Sequence, residues 1–92
     1  MTDAQESQVV LAGPGGEALI RKTPGVCGGD ACIRKTRITV WGLVERRNLG
    51  LSDAEILENL PDLTPADLAV AWDYDAQHRE EIDQAIRENE QA

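Results

Sequence analysis

The chain has 92 residues, 41% of them hydrophobic and 28% charged, with a formal net charge of -8. That length fits one domain with a modest core, and no apolar run approaches the ~20 residues that a membrane-spanning helix needs. Trp41, Trp72 and Tyr74 are the only aromatic residues, which argues against a base-stacking platform for nucleic acid. The first twenty residues lack both a basic start and a continuous apolar block, so no signal peptide is expected and the default location is cytoplasmic.

The charge is unevenly spread. Residues 21–50 carry Arg21, Lys22, Arg34, Lys35, Arg37, Arg46 and Arg47 against Asp30 and Glu45, whereas residues 51–92 carry twelve acids against Arg79 and Arg87. Such a chain presents a basic region suited to phosphates or acidic protein, and an acidic one suited to a basic partner.

In chain order, residues 1–16 read as a flexible arm or a partial hairpin. Val9-Val10-Leu11 is a short apolar run, and Gly13-Pro14-Gly15-Gly16 is a strong turn signal. Residues 17–92 then read as a single domain. Its β/loop element spans 18–38: a strand at about Ala18–Lys22, a loop punctuated by Pro24-Gly25 and Gly28-Gly29, and an extended segment from Ala31 to Ile38. Strands this short need a partner, which a second protomer could supply.

Four helices follow. Thr39 caps the first, over 40–49, with Val40, Leu43, Val44 and Arg47 on one stripe and Gly50 at the left-handed stop. Gly42 lies inside it, at a cost of roughly 1 kcal/mol relative to Ala, which suggests close packing there. Ser52-Asp53-Ala54-Glu55 is a capping box opening a helix over 53–60, with Ile56, Leu57 and Leu60 inward. Thr64 and Pro65 open the third, over 65–77, with Leu68, Ala71 and Trp72 on one face and Asp75 at its edge. The fourth spans 79–88 with Ile82, Ala85 and Ile86 as its stripe. Two short helices joined by a tight turn behind a preceding helix form a helix-turn-helix arrangement.

Arg34, Lys35 and Arg37 place three cations within four residues, and Arg46 and Arg47 add two near a helix C-terminus. These five are the candidate DNA contacts, through phosphates. The third helix is a poor base reader, with Asp67, Asp73 and Asp75 and no cation. Its Trp72, Asp73 and Asp75, with Glu80, Glu81 and Asp83 of the next helix, are the candidate partner-binding residues. A solvated acidic face is the plainer reading of the same carboxylates. Cys27 and Cys32 form a C-x4-C pair with a distant His78, short of a zinc ligand set, and read as small apolar side chains under the glycine loop. No triad, phosphate loop or metal set is present in the sequence, so neither an enzyme nor a cofactor is expected.

The stretch from Thr23 to Trp41 resembles the domain of unknown function family 433, whose members show P-G-x-x-G-G-x-P-x-I-x-G-T-R-I-x-V. Here the pattern is carried by Pro24-Gly25, Gly28-Gly29, Ile33-Arg34, Thr36-Arg37-Ile38 and Val40. It continues in Gly50-Leu51-Ser52, in Glu55-Ile56-Leu57, and in Leu60 through Leu68, covering about residues 20–76. Ala31 stands where Pro is frequent, Lys35 where Gly is usual and Leu60 where an aromatic is common. The resemblance implies a mainly α, homeodomain-like bundle of three to four helices with a helix-turn-helix and a short N-terminal β element, usually a homodimer. It also implies, from some members, an antitoxin partnered with a PIN-like ribonuclease toxin and binding its own operator DNA. A protein-interaction module or dimeric scaffold without a DNA role is the competing expectation.

Overall fold

The computed structural model describes residues 8–23, 25 and 29–91. Residues 1–7 of the N-terminal arm, and Pro24, Val26, Cys27 and Gly28 of the glycine loop, lie outside the described residues, as does Ala92.

Of the two readings of the first apolar run, the hairpin forms. Gln8–Ala12 (β1) pairs antiparallel with Leu19–Lys22 (β2), and the chain reverses through a short 3-10 turn at Pro14–Gly16. Gly15 and Gly16 there adopt φ values of 81° and 73°, a region open to glycine without a Cβ penalty. The register slips between Val9 and Leu11, which bulges the edge strand at Val10. Cys32–Ile33 (β3) pairs with the other edge of β2, giving a three-stranded antiparallel sheet in the order β1-β2-β3. Ile20 and its cross-strand partner Ile33 are fully buried on the inner face.

The extended segment expected over Ala31–Ile38 is corrected by the structure: the strand stops at Ile33. The chain turns over Ile33-Arg34-Lys35-Thr36, closed by the Thr36 N–H donating to the Ile33 carbonyl at 2.9 Å. The Thr36 hydroxyl donates to the same carbonyl at 2.6 Å and accepts from the Ile38 N–H at 3.1 Å. A short hydroxyl side chain that satisfies backbone groups locally favours a turn over a ladder. The returning limb then pairs back, with Ile33 N–H donating to Ile38 and Val40 N–H to Ala31, both at 2.9 Å. The basic residues therefore ride on a turn.

Four helices complete the fold: Val40–Asn48 (α1), Asp53–Asn59 (α2), Pro65–Gln77 (α3) and Arg79–Gln91 (α4). Each of the first three begins at the cap read from sequence. Thr39 accepts from the Gly42 N–H, Ser52 and Glu55 exchange bonds in a capping box, and Thr64 does the same with Asp67. Gly50, at φ 102°, donates its N–H to Arg47 while Leu51 donates to Arg46, the paired closure of a helix that stops at a left-handed glycine. α1 packs against all three other helices, and α3 also packs on β2. The core is Ile20, Ile33, Val40, Leu43, Ile56, Leu68, Ala71, Tyr74 and Ile82, supplied by all four helices and the sheet. Burying one such Leu or Ile side chain stabilises by roughly 1.5–3 kcal/mol.

The tight packing suspected at Gly42 is local. A Cβ there would sit 2.9 Å from the Thr39 hydroxyl oxygen that caps the same helix. Removing a helix-interior glycine normally gains about 1 kcal/mol, and losing a cap costs about the same. Gly42→Ala is therefore expected to leave stability within about 0.5 kcal/mol of the parent, by denaturant unfolding, instead of giving the usual gain. A full gain would show that the cap hydroxyl is not held in place.

Candidate functional site

The five candidate DNA contacts do not converge on one surface. Arg34 occupies the second position of the turn with φ 47°, an uncommon conformation for a branched-free but bulky side chain. Its guanidinium reaches the start of α3. Nε donates to Asp67 Oδ1 at 3.1 Å, and Nη2 donates to Oδ2 at 3.0 Å and to the Asp62 carbonyl at 2.7 Å. Asp67 is 1% exposed and also accepts the Thr64 N–H at 3.0 Å. Burial alone would raise the Asp67 pKa, but the hydrogen bonds and charge of Arg34 and the Thr64 bonds outweigh it and hold the carboxyl below its ordinary value. The Arg34 pKa is correspondingly raised, chiefly by its bond to Asp67.

Arg47 is engaged in the same way further along α3. Its Nη2 donates to Asp75 Oδ2 at 2.8 Å, and its guanidinium lies 4.4 Å from the Trp72 ring centroid, a cation–π contact. Asp75 is as buried as Asp67; its Oδ1 accepts no hydrogen bond and is met by Arg79 at 3.6 Å, an ion-pair distance. Trp72 in turn donates its Nε1 H to Asp53 at 3.3 Å. Arg46 lies half-buried with Nη1 donating to the Gly42 carbonyl. Arg37 and Arg46 line one open groove of about 690 Å³ together with Asp30, Trp41, Glu45 and Asn89. Trp41 spans part of it by donating Nε1 H to Asp30 at 3.0 Å. Lys35 is exposed on the turn and lines a different recess.

The candidate partner-binding residues also divide. Asp73, Glu80 and Asp83 stand exposed. Trp72 and Asp75 are taken up by the Arg47 cluster. Glu81 is half-buried: both its oxygens accept from the Tyr74 hydroxyl at 2.8 Å, and Lys22 pairs with it at 3.0 Å. Burial opposes the Lys22 ammonium, yet its bonds to Glu81 and Tyr74 outweigh that and leave its pKa raised. Tyr74 is raised too, by burial first and by Glu81 second. His78 caps α3 and stacks on Tyr74 with ring centroids 4.2 Å apart. Among the described residues no cluster of three or more metal-ligating side chains forms, and Cys32 is buried while Cys27 lies outside them.

Sequence reasoning did not single out Asp67 as the partner of Arg34, nor Arg21 as a residue of interest. The first had a local signal, a carboxylate three residues after a helix-capping Thr, which identifies the box but not the arginine. The second could have been found from strand alternation, since Arg21 stands beside the inward Ile20 and so faces out.

The family model for proteins of unknown function designated DUF433 matches residues 20–74 of the chain. The crystal structure of a DUF433 member protein from Anabaena variabilis ATCC 29413, at 2.00 Å resolution, is similar with a TM-score of 0.73 and 54% sequence identity. The similarity covers 74% of this chain and 67% of that one. No curated protein matches the sequence.

Removing the Asp67 carboxylate strands the Arg34 fork and opens the cap of α3. Asp67→Ala is expected to cost about 2–3 kcal/mol in denaturant unfolding, the sum of a charge-assisted bond and a cap. Because the folded pKa of Asp67 is depressed, its contribution is complete above about pH 4, where the unfolded carboxyl titrates. It is lost as pH falls through the lower folded value. Stability measured from neutral to acid pH should therefore fall less steeply in Asp67→Asn than in the parent, and equal slopes would remove Asp67 from the account.

Proposed function

The chain belongs to the DUF433 family of proteins of unknown function, and on that premise we propose that it is an antitoxin-like, non-enzymatic helix-turn-helix protein. In this reading it is a cytoplasmic homodimer with a homeodomain-like arrangement of α1–α3. It neutralises a PIN-like ribonuclease toxin through the acidic surface of its C-terminal half.

One observation supports the reading above others. After Asp67 and Asp75 have been neutralised inside the fold, nine carboxylates between Asp53 and Glu90 still stand exposed on α2–α4 and their connections. A ribonuclease must present cations to the phosphates of its substrate. An acidic helical face is complementary to that surface and steers association with it.

Operator binding has a competing reading, a protein-interaction module without DNA, which draws on a specific observation: Arg34 and Arg47, two of the five candidate DNA contacts, are each held by a buried aspartate. If DNA is bound, its phosphates meet Lys35 and Arg37 on the turn.

Tagged protein recovered from its native host is expected to carry a small ribonuclease in near-equal amount, with that nuclease inactive until the complex is dissociated. Asp73→Lys/Asp83→Lys, at two exposed positions, should weaken the complex by roughly tenfold or more while leaving the fold intact. Recovery of the protein without any nuclease would end the antitoxin reading. In the same preparation, Lys35→Ala/Arg37→Ala should lower affinity for the operator and reduce the salt slope by about two ions. An unchanged slope would favour the module without DNA.

A further inference from the structure

A recess of about 270 Å³ opens beside β2 and the 34–37 turn, lined by Glu17, Leu19, Arg21, Arg34 and Lys35. Ile20 points into the core, so strand alternation puts its neighbours Leu19 and Arg21 on the outer face of the sheet. The turn is fixed against that strand by the Arg34 N–H, which donates to the Leu19 carbonyl at 2.8 Å. The recess is thus framed by backbone and does not depend on flexible side chains alone.

Three of its five lining residues are cations, and they are not equivalent. Arg34 is neutralised by Asp67. Arg21 is half-buried, and its Nε is sealed from solvent with no hydrogen-bond partner. Neither Arg21 nor Lys35 forms an ion pair with a described residue, and Glu17, which lines the same recess, pairs with neither. The sealed Nε of Arg21 is out of a ligand's reach, so the part of the guanidinium that can meet an acceptor from outside is its outer Nη groups, which no described residue holds in an ion pair.

We propose that this recess binds a phosphate group, with Arg21 and Lys35 as its donors and Leu19 as an apolar wall beside them. A guanidinium fork fits a tetrahedral oxyanion through two donors, and an exposed ammonium adds a mobile point charge at the mouth. Glu17 opposes the same ligand and limits its affinity. A phosphodiester of a nucleic-acid backbone and a free phosphate present the same chemistry to these residues. The proposal does not depend on toxin neutralisation, and none of the acidic helical face takes part in it.

The test is a titration of the labelled full chain followed by backbone amide NMR shifts, with sodium phosphate, with sodium chloride at matched ionic strength, and with a short DNA duplex. Phosphate but not chloride is expected to give saturable shifts at the amides of Leu19, Arg21 and Lys35. Lys35→Gln should weaken binding about threefold or more, and Glu17→Gln should strengthen it by about twofold, as expected for one charge added or removed at a solvent-exposed distance. Arg21→Gln should abolish it. Because Arg21 is partly packed and its replacement also removes contacts from the sheet, the two substitutions at the exposed Glu17 and Lys35 carry the test on their own. A duplex that shifts the same amides at lower concentration assigns the phosphate to a nucleic-acid backbone. Shifts with sodium phosphate alone assign it to a small phosphate. Absence of saturable shifts with both, or shifts indifferent to Lys35→Gln and Glu17→Gln, overturns the proposal.

Discussion

The contact between Arg34 and Asp67 ties the sheet to the helices. Arg34 is held in a left-handed conformation, which costs a non-glycine residue of order 1 kcal/mol or more. That conformation aims its fork at two groups 28 and 33 residues away, the Asp62 carbonyl and the Asp67 carboxylate. Asp67 is at the same time the third residue of α3 and closes its capping box with Thr64. The turn after β3, the connection between α2 and α3, and the first turn of α3 are therefore one mechanical unit. None of the three could shift without stranding a buried charge.

The same logic revises the meaning of the charge asymmetry. Read along the chain, residues 21–50 are basic and residues 51–92 acidic, and two opposed surfaces are the natural expectation. Among the described residues, three ion pairs cross that division: Lys22 with Glu81, Arg34 with Asp67, and Arg47 with Asp75. Part of the asymmetry is thus internal adhesion between the two halves of the sequence. Asp67 and Asp75 make α3 look like an acidic surface helix, yet both point inward, where burial would be unfavourable without an arginine on each. What remains exposed on α2–α4 is still strongly acidic, because the internal pairs use only a minority of the carboxylates.

How much of this could be read from the sequence follows the range of the interactions. The starts of the first three helices and the end of the first were legible because their determinants are local: the Thr39 hydroxyl, the Ser52–Glu55 box, Pro65 after Thr64 and the glycine at position 50 each act within four residues, whereas α4, expected over 79–88, carries no such stop signal and runs on to Gln91. The segment from Ala31 to Ile38 was misread because alternating cations and β-branched residues mimic a strand, while the deciding bonds were those of Thr36 to Ile33 and Ile38. The candidate site was the least legible part. Whether Arg34 or Arg47 is a surface charge depends on an aspartate roughly thirty residues downstream, and no local pattern reports that pairing.

Sorting the basic residues by what already holds them changes where an anionic ligand has to be sought. Lys22, Arg34 and Arg47 are committed to carboxylates of the acidic half, and Arg46 folds back on the Gly42 carbonyl of its own helix. Of the seven cations in residues 21–50, Arg21 and Lys35 keep their charge without a hydrogen bond or ion pair to any described residue. Both belong to the sheet and its turn. On the helices, α3 presents Asp73 outward and buries Asp67 and Asp75 beneath arginines. Within residues 21–50 the cations without a described partner thus sit on the β element, whereas the exposed carboxylates sit on α2–α4 and their connections, so the two charges fall on different layers of the fold.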